Sequence, residues 1–230
     1  MGFELKRINS AQNISAPDIY YDEEILSEYK IASLPSLDAI ALSIKGMINP
    51  ISGRHLFALC YLQSEKGDVI EIGSWQGRST SYLARATHLS NNGFFFAIDH
   101  FKGNIGKEQH YTVEKKDLTD LKGFFLENMK NIGLHDVVNL YDMPNVDAVN
   151  HLKSREIRFL FIDGDHTHAG VVRDIELFFP LLVNGAIVVF DDFSNAFPGV
   201  ISAVKDYLNK NNNITRIFTL ENTLIIKISK

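Results

Sequence analysis

The pattern of apolar and polar positions predicts strands that alternate with helices over most of the chain. Five short and mostly apolar runs are each followed by a turn and a segment with helical spacing, which is typical of buried parallel strands. These runs are 69–72, 94–98, 137–141, 157–162 and 186–190. We therefore expect an α/β fold with a mostly parallel, Rossmann-like sheet.

The N-terminal part of the chain departs from this alternation. Residues 1–17 are polar and predict a loose leader, whereas 18–33 have near-helical spacing. A second helix is predicted from Ser36, a good N-cap residue, and a third from residue 52 or 53. We interpret 1–52 as a leader and helical cap that packs on the sheet of a single globular unit, 53–230.

The segment after residue 168 predicts an amphipathic helix that precedes the last parallel strand. Its expected apolar face consists of Val172, Ile175, Phe179 and Leu182. The charged residues lie largely on another face and are Arg173, Asp174 and Glu176. Pro180 should kink or tighten this helix, and Asn184 with Gly185 predicts a turn. After a further helix at 203–208, the alternating runs 214–220 and 223–228 predict a C-terminal β-hairpin.

A turn punctuated by glycines follows the first strand. A dinucleotide-binding loop needs G-x-G-x-x-G, whose second glycine lets the backbone approach a pyrophosphate. Here Trp75 occupies that position, between Gly73 and Gly77. The turn therefore favours a ligand without a pyrophosphate, with Glu71 near the strand end. A turn in some other Rossmann-like protein is the competing interpretation.

The Glu-x-Gly-x-x-x-Gly pattern of Glu71, Gly73 and Gly77 resembles motif I of the class I S-adenosylmethionine-dependent methyltransferases. The resemblance implies that Glu71 belongs to the cofactor site and that Gly73, Ser74 and Gly77 lie along the methionine and ribose. It implies that Ser79 lies near the cofactor carboxylate. The terminal antiparallel hairpin is a signature of the same fold.

Two further strand ends are candidates for cofactor contacts. Asp99 ends the second strand, 28 residues after Glu71, where α/β sites bind ribose hydroxyls. Its carboxylate could accept from both hydroxyls, or it could cap the following loop. By resemblance, Asp142 and Met143 meet the adenine, and helix capping by Asp142 or Asn145 is the alternative. The polar segment 101–118 predicts a lid or substrate loop.

Carboxylates also end the next two strands. Asp163 follows one strand, and Asp191 and Asp192 follow the other. Neighbouring strands lie roughly 4.8 Å apart, so these acids could face one another. Clustered carboxylates repel unless they are protonated or neutralised. A hard cation such as Mg²⁺ would neutralise them and leave open positions for substrate oxygens.

The Asp163-Gly-Asp-His segment and the acidic pair are similar to segments of metal-dependent O-methyltransferases. The nearest groups are the macrolide-sugar and cephalosporin-cluster types, with the caffeoyl-CoA O-methyltransferases more distant. The resemblance implies metal ligands at Asp163, Asp191 and Asp192, with Asp163 also beside the cofactor. Asp191 stands where the sugar-modifying enzymes tend to have Glu, and Asp192 where the caffeoyl-CoA enzymes have Asn, so the subfamily and the metal affinity stay open.

His166, three residues after Asp163, matches the base of those enzymes. A neutral imidazole can take a proton from a substrate hydroxyl, more easily when a metal has lowered the pKa of that hydroxyl. The competing interpretation is an ordinary surface turn, because Asp and Gly are common turn formers. His168 could be a ligand, could support one, or could simply be solvated.

Composition and charge narrow the classes of partner. The net charge is −5 with pI near 5.9, and basic residues are interspersed with acids, which argues against nucleic-acid binding. No apolar run is long enough to span a bilayer, and no signal-type segment is evident, so we expect a cytoplasmic protein without a membrane partner. The lone Cys60 excludes an intramolecular disulfide.

The sequence therefore predicts an S-adenosylmethionine-dependent enzyme that methylates a hydroxyl of a small molecule or sugar. Mg²⁺ or another divalent cation would assist, with Asp163 and His166 as catalytic residues. Two alternatives remain: a metal-dependent hydrolase that uses the acids and histidines of 163–168, and a non-catalytic protein that binds S-adenosylmethionine. The resemblance also implies a homo-oligomer, paired through the cap helices.

Overall fold

A computed structural model describes residues 34–103, 120–211 and 213–230. The helices are α1 (Leu34–Leu42), α2 (Pro50–Leu62), α3 (Arg78–Ser90), α4 (Leu121–Asn131), α5 (Asn145–Leu152), α6 (His168–Phe178) and α7 (Pro198–Lys210). The strands are β1 (Asp68–Ile72), β2 (Phe95–Ile98), β3 (Val138–Tyr141), β4 (Ile157–Ile162), β5 (Leu182–Phe190), β6 (Ile214–Leu220) and β7 (Thr223–Ile228). The predictions for 1–33 and for most of the loop at 101–118 lie outside these residues.

The strands form one sheet in the order β3-β2-β1-β4-β5-β7-β6. β1 to β5 run parallel, whereas β7 is antiparallel to β5 and β6 is antiparallel to β7. The predicted α/β fold with its C-terminal hairpin is therefore confirmed. Chain order reverses beside β1, which pairs with β2 on one side and β4 on the other. Ligands of such sheets bind at this reversal, outside the carboxyl ends of the strands.

Two apolar layers cover the sheet, and side chains of each strand alternate between them. One layer is formed by α5, α6 and α7 with Ile70 and Ile72, and the other by α1 to α4 with Val69. Because side chains alternate along a strand, Glu71 points to the same face as Val69. Helices α1 and α2 both pack on the sheet in the layer that contains Val69, and the predicted boundary at 52/53 falls inside α2. Among the described helices, none combines the length and apolar character that crossing a bilayer requires.

Two predicted boundaries are wrong for local reasons. α2 begins at Pro50, because Pro suits the first helical position and the Asn49 side chain accepts from the Ser52 N–H. The predicted turn at Asn184 and Gly185 is instead a part of β5. Gly185 has φ +82°, and the pairing with β4 shifts register there, which is the geometry of a bulge.

The predicted apolar face of α6 does pack against the core, but the predicted charged face is wrong at one position. Its buried stripe is Val171, Asp174, Ile175 and Phe178, so Asp174, which we expected among the charged residues, has no exposed surface. Pro180 does tighten the end of this helix, since α6 stops at Phe178 and a 3₁₀ turn covers Phe179–Leu181.

Candidate active site

The glycine turn, residues 73–77, lies directly against the end of β4. Gly73 has φ +87°, and a Cβ on it would lie 2.0 Å from the carbonyl oxygen of Asp163. Only glycine therefore allows this approach. Trp75 has φ +45°, an unusual conformation for a bulky side chain. Backbone strain of this kind concentrates at ligand sites, so the turn is a candidate for one.

Asp99 braces this turn from the end of β2. Its Oδ2 accepts from the backbone N–H groups of Ser74 at 2.9 Å and Trp75 at 2.8 Å. Its Oδ1 accepts from the Phe101 N–H at 2.7 Å, so Asp99 also caps the loop after β2. Three backbone donors thus converge on the carboxylate for which sequence predicts a ribose contact. That contact stays a prediction.

Glu71 is wholly buried below the glycine turn. Burial raises its pKa to about 7, and the nearby hydroxyls of Ser79, Thr80 and Ser74 oppose that rise. The Thr80 hydroxyl donates to Oε2 of Glu71, and Ser79 is buried beside them. Burial therefore favours the neutral form of this acid when the site holds no ligand.

Three polar atoms around the turn are buried and lack a hydrogen bond among the described residues. They are Oε1 of Glu71, Oγ of Ser74 and Nε1 of Trp75. Most buried polar groups in proteins have a partner, so these three atoms, in the turn and in the strand below it, are candidates for contact with a polar ligand. Gly77, with φ +95°, closes the turn against Met129, which a Cβ would approach to 2.5 Å.

Glu71→Gln is expected to flatten the pH dependence of stability in the ligand-free protein. Because burial raises the pKa of Glu71, the protonated form stabilises the fold below pH 4.5, and that stability is lost as the pH rises through about 7. The loss amounts to about 3 kcal/mol. Urea unfolding at pH 5 and pH 8 measures it, with Glu176→Gln on the exposed side of α6 as the control. Equal pH slopes in Glu71→Gln and the parent would refute this assignment.

The ends of β4 and β5 gather an acidic centre, which consists of Asp163, His166 and Asp192. Nε2 of His166 lies 3.4 Å from Oδ1 of Asp163 and 3.3 Å from Oδ2 of Asp192. One potential ligand atom from each residue falls within 4.8 Å of the others. The Phe197 ring packs edge-on against the imidazole, with centroids 4.8 Å apart. Two carboxylates and an imidazole at this separation could hold a divalent cation.

Asp191 lies beside the acidic centre but is not one of its three residues. The metal-ligand role that the resemblance implies for Asp191 stays a prediction. The Asp191 N–H donates to the carbonyl oxygen of Ile162, which extends the pairing of β4 and β5 by one residue. Burial and the charges of Asp163 and Asp192 raise the pKa of Asp191 well above its ordinary value. Loss of hydration likewise raises the pKa of Asp163, to about 6.

The other acid and histidine of the 163–168 segment take structural partners. Asp165 accepts from the Thr167 N–H and pairs with Arg173, while His168 pairs with Asp206 of α7 at 3.0 Å. The cluster on which a hydrolase would depend is therefore not assembled. His168 therefore connects α6 to α7.

The turn after β3 lies at the same edge of the sheet. Asp142 is exposed and binds Lys122 at 2.6 Å, and Met143 packs against the apolar layer of α5 to α7. Helix capping is not the role of Asp142, because α5 begins at Asn145 with no side-chain cap. The predicted contact of both residues with an adenine stays a prediction.

Sequence reasoning missed Arg78, which directly follows the glycine turn. Its guanidinium donates to the carbonyl oxygens of Ile44 at 2.7 Å and Ile48 at 3.3 Å, and so fixes the α1–α2 connection above α3. It also missed Thr80, the partner of Glu71. Only the position of Thr80 on the inner face of α3 could have indicated this contact.

The sheet order, the glycine turn and the acids at the β4 and β5 ends define a protein of the class I methyltransferase fold. A model of the family described as a methyltransferase domain matches residues 70–193, just over half of the chain. The chain belongs to this family. The matched segment runs from β1 to beyond β5, so it contains both the glycine turn and the acidic centre.

Individual relatives are more distant. An uncharacterised protein of Acanthamoeba polyphaga mimivirus is 27% identical over 133 residues, which are 57% of this chain and 54% of that protein. The chain thus spans about half the length of this curated relative.

Solved structures share the fold over greater lengths. An O-methyltransferase from Bacillus cereus in complex with SAH has a TM-score of 0.62 at 18% identity, and covers 90% of this chain and 96% of its own. TomG, an O-methyltransferase from Streptomyces achromogenes involved in tomaymycin synthesis and in complex with SAM, has a TM-score of 0.60 at 16% identity. That match covers 80% of this chain and 82% of TomG. At these identities the similarity concerns the fold.

Proposed function

We propose that this protein transfers a methyl group from S-adenosylmethionine to a hydroxyl of a small molecule, with help from a divalent cation. The observation that carries the proposal is the contact between the glycine turn and the residue that begins the acidic centre. Gly73 of the glycine turn lies so close to the Asp163 carbonyl that a Cβ would be 2.0 Å from it. A donor in the turn and an acceptor at the acidic centre would therefore be neighbours.

The residues of the glycine turn fit the donor. Trp75 stands where a pyrophosphate-binding loop has its second glycine, and Oε1 of Glu71 and Oγ of Ser74 are buried polar atoms near the turn. S-adenosylmethionine combines an amino acid with a nucleoside and has no phosphate. The Bacillus cereus and Streptomyces achromogenes enzymes of the same fold are in complex with SAH and SAM, which supports the same cofactor here.

The acidic centre fits a divalent cation. Asp163 and Asp192 supply two carboxylates, whose mutual repulsion a cation would relieve. Carboxylates suit Mg²⁺ and Mn²⁺, and a third ligand from His166 would favour a softer ion. A bound cation would polarise the acceptor oxygen and lower the pKa of its hydroxyl.

Three residues would then carry out distinct tasks. Asp163 and Asp192 orient the acceptor by holding the cation beside the glycine turn. His166 would accept the hydroxyl proton at Nε2 as a base and not as a ligand, once the cation takes the place of that nitrogen as the partner of the two carboxylates. The edge of Phe197 restricts rotation of that ring. Methyl transfer itself is a direct displacement, which needs alignment of oxygen, methyl carbon and sulfur more than any further covalent step.

The acceptor is proposed to be a small molecule. TomG takes part in tomaymycin synthesis, and the net charge of −5 argues against a nucleic-acid acceptor.

S-adenosylhomocysteine is expected to raise the thermal midpoint, because at a hundredfold excess over its Kd a bound ligand adds about 2.7 kcal/mol to the free energy of unfolding. Mn²⁺ should add to that shift, and excess chelator should abolish both the Mn²⁺ increment and turnover of an acceptor found by screening. A shift with metal alone would favour a hydrolase, and a shift with S-adenosylhomocysteine but no turnover would favour a non-catalytic binder. Full turnover in excess chelator would remove the cation from the mechanism.

A further inference from the structure

Asp174 is a wholly buried carboxyl that the proposed chemistry does not use. It lies on α6 in an apolar stripe with Val171, Ile175 and Phe178. Burial raises its pKa to about 7. A carboxyl inside a protein destabilises it when one of its oxygens lacks a hydrogen bond, and sites that break a packing rule in this way are often functional. Its retention at an apolar position therefore calls for a role beyond packing.

The two oxygens of Asp174 face two different turns. Oδ1 accepts from Nδ2 of Asn145, the first residue of α5. Oδ1 of Asn145 in turn accepts from the Val146 N–H at 2.9 Å, which fixes the orientation of the amide. Oδ2 of Asp174 is buried without a hydrogen bond among the described residues. It faces Gly164, on which a Cβ would lie 3.7 Å away.

Both turns lie next to residues that the sequence assigns to the site. Gly164 directly follows Asp163 of the acidic centre. Asn145 closes the turn after β3, which carries Asp142 and Met143. Asp174 lies behind both turns, in the apolar layer between α5, α6 and the sheet. It is therefore placed to set their relative position without contact with either ligand.

We propose that Asp174 is a positioning residue that ties the turn after β3 to the turn after β4 from inside the protein. The tie holds Asp163 at a constant place relative to the 142–145 turn. The inference rests on the proposed function only for what those turns bind, because the tie itself is a property of the ligand-free protein.

Amide hydrogen exchange of the ligand-free full chain tests the tie. Asp174→Leu has a side chain of related size that cannot accept from Asn145. We expect exchange about tenfold faster at 142–147 and 163–168 and unchanged in β1 and β7, with a thermal midpoint no lower than that of the parent. Asp174→Asn keeps an acceptor and should exchange like the parent. A lower midpoint with faster exchange throughout would mean a general role in stability and would overturn the proposal.

Asn145→Ala removes the same hydrogen bond from the exposed side and covers the case in which Asp174→Leu does not fold. The tie predicts faster exchange at 163–168 as well as at 142–147. Faster exchange at 142–147 alone would show that the two turns are independent, and the tie would be refuted.

Titrations with Mn²⁺ and S-adenosylhomocysteine connect the tie to the site. Residues that orient metal ligands typically change metal affinity by about 10–100-fold, and we expect that loss for Mn²⁺ in Asp174→Leu and near-parent affinity in Asp174→Asn. Parent-like Mn²⁺ affinity in Asp174→Leu would overturn the positioning role. A parent that binds neither probe would refute the proposed function, and the exchange data would still decide the tie.

Discussion

Gly73→Ala is expected to destabilise the protein by about 3–5 kcal/mol or to prevent folding. The new Cβ would lie 2.0 Å from the carbonyl oxygen of Asp163, which belongs to the rigid end of β4. Overpacking costs about 1–3 kcal/mol and occasionally more, and a positive φ adds about 1–2 kcal/mol for a residue with a side chain. Chemical denaturation of the purified variant measures the change.

Gly133→Ala is the matched control. Gly133 has φ +70°, and a Cβ there would meet nothing within 4 Å. The Gly133→Ala variant should therefore lose only the free energy that the left-handed backbone conformation costs a residue with a side chain, about 1–2 kcal/mol. Equal losses in both variants would mean that β1 and β4 do not approach as closely as the structure indicates. Because Gly73 supports the fold itself, its substitution is a poor test of cofactor binding.

Asp163→Asn is expected to lower kcat/KM by on the order of 10³ and to weaken Mn²⁺ binding to the same degree or more. The change removes one of two carboxylates from the acidic centre, and a metal in such a site contributes several kcal/mol to the stabilisation of charge in the transition state. Kinetics at saturating S-adenosylmethionine and calorimetric titration with Mn²⁺ measure the two effects. The ligand-free variant should fold, because it loses a carboxyl whose pKa is already raised to about 6.

Asp165→Asn controls for the loss of one negative charge in the same turn. Asp165 is exposed and pairs with Arg173, outside the acidic centre. Its variant should keep parent-like kinetics. His166→Gln then separates two roles: a base predicts lost turnover with intact Mn²⁺ affinity, and a ligand predicts that both fall. Asp163→Asn with unchanged Mn²⁺ affinity would show that the cation, if it binds, binds elsewhere.

Much of this architecture follows from local sequence patterns and could be predicted from the sequence. The strand runs, the hairpin at 214–228 and the helix from Asp120 follow from periodicity and from capping residues, which depend on neighbours in sequence. The place of the site followed as well, because parallel strands bring their carboxyl ends to one edge. Glycines after β1 and acids after β4 and β5 therefore had to meet, whatever the details of packing.

The details that the tertiary structure alone decided depend on contacts between distant elements. The acidic centre combines His166 with Asp163 and Asp192, while Asp191 continues the pairing with Ile162 and Asp192, with φ +53°, leaves the strand. Asp174 is buried because α5 and the turn after β4 cover it.

The sequence by itself therefore determined the class of fold and the edge at which chemistry would occur, since both follow from short-range patterns. Only the packed structure decided which carboxyls face one another, that Asp99 braces the glycine turn and that Asp174 lies inside. Those properties depend on how each helix is rotated about its axis and on where each strand ends, to within a few ångströms. No local sequence pattern encodes such small displacements.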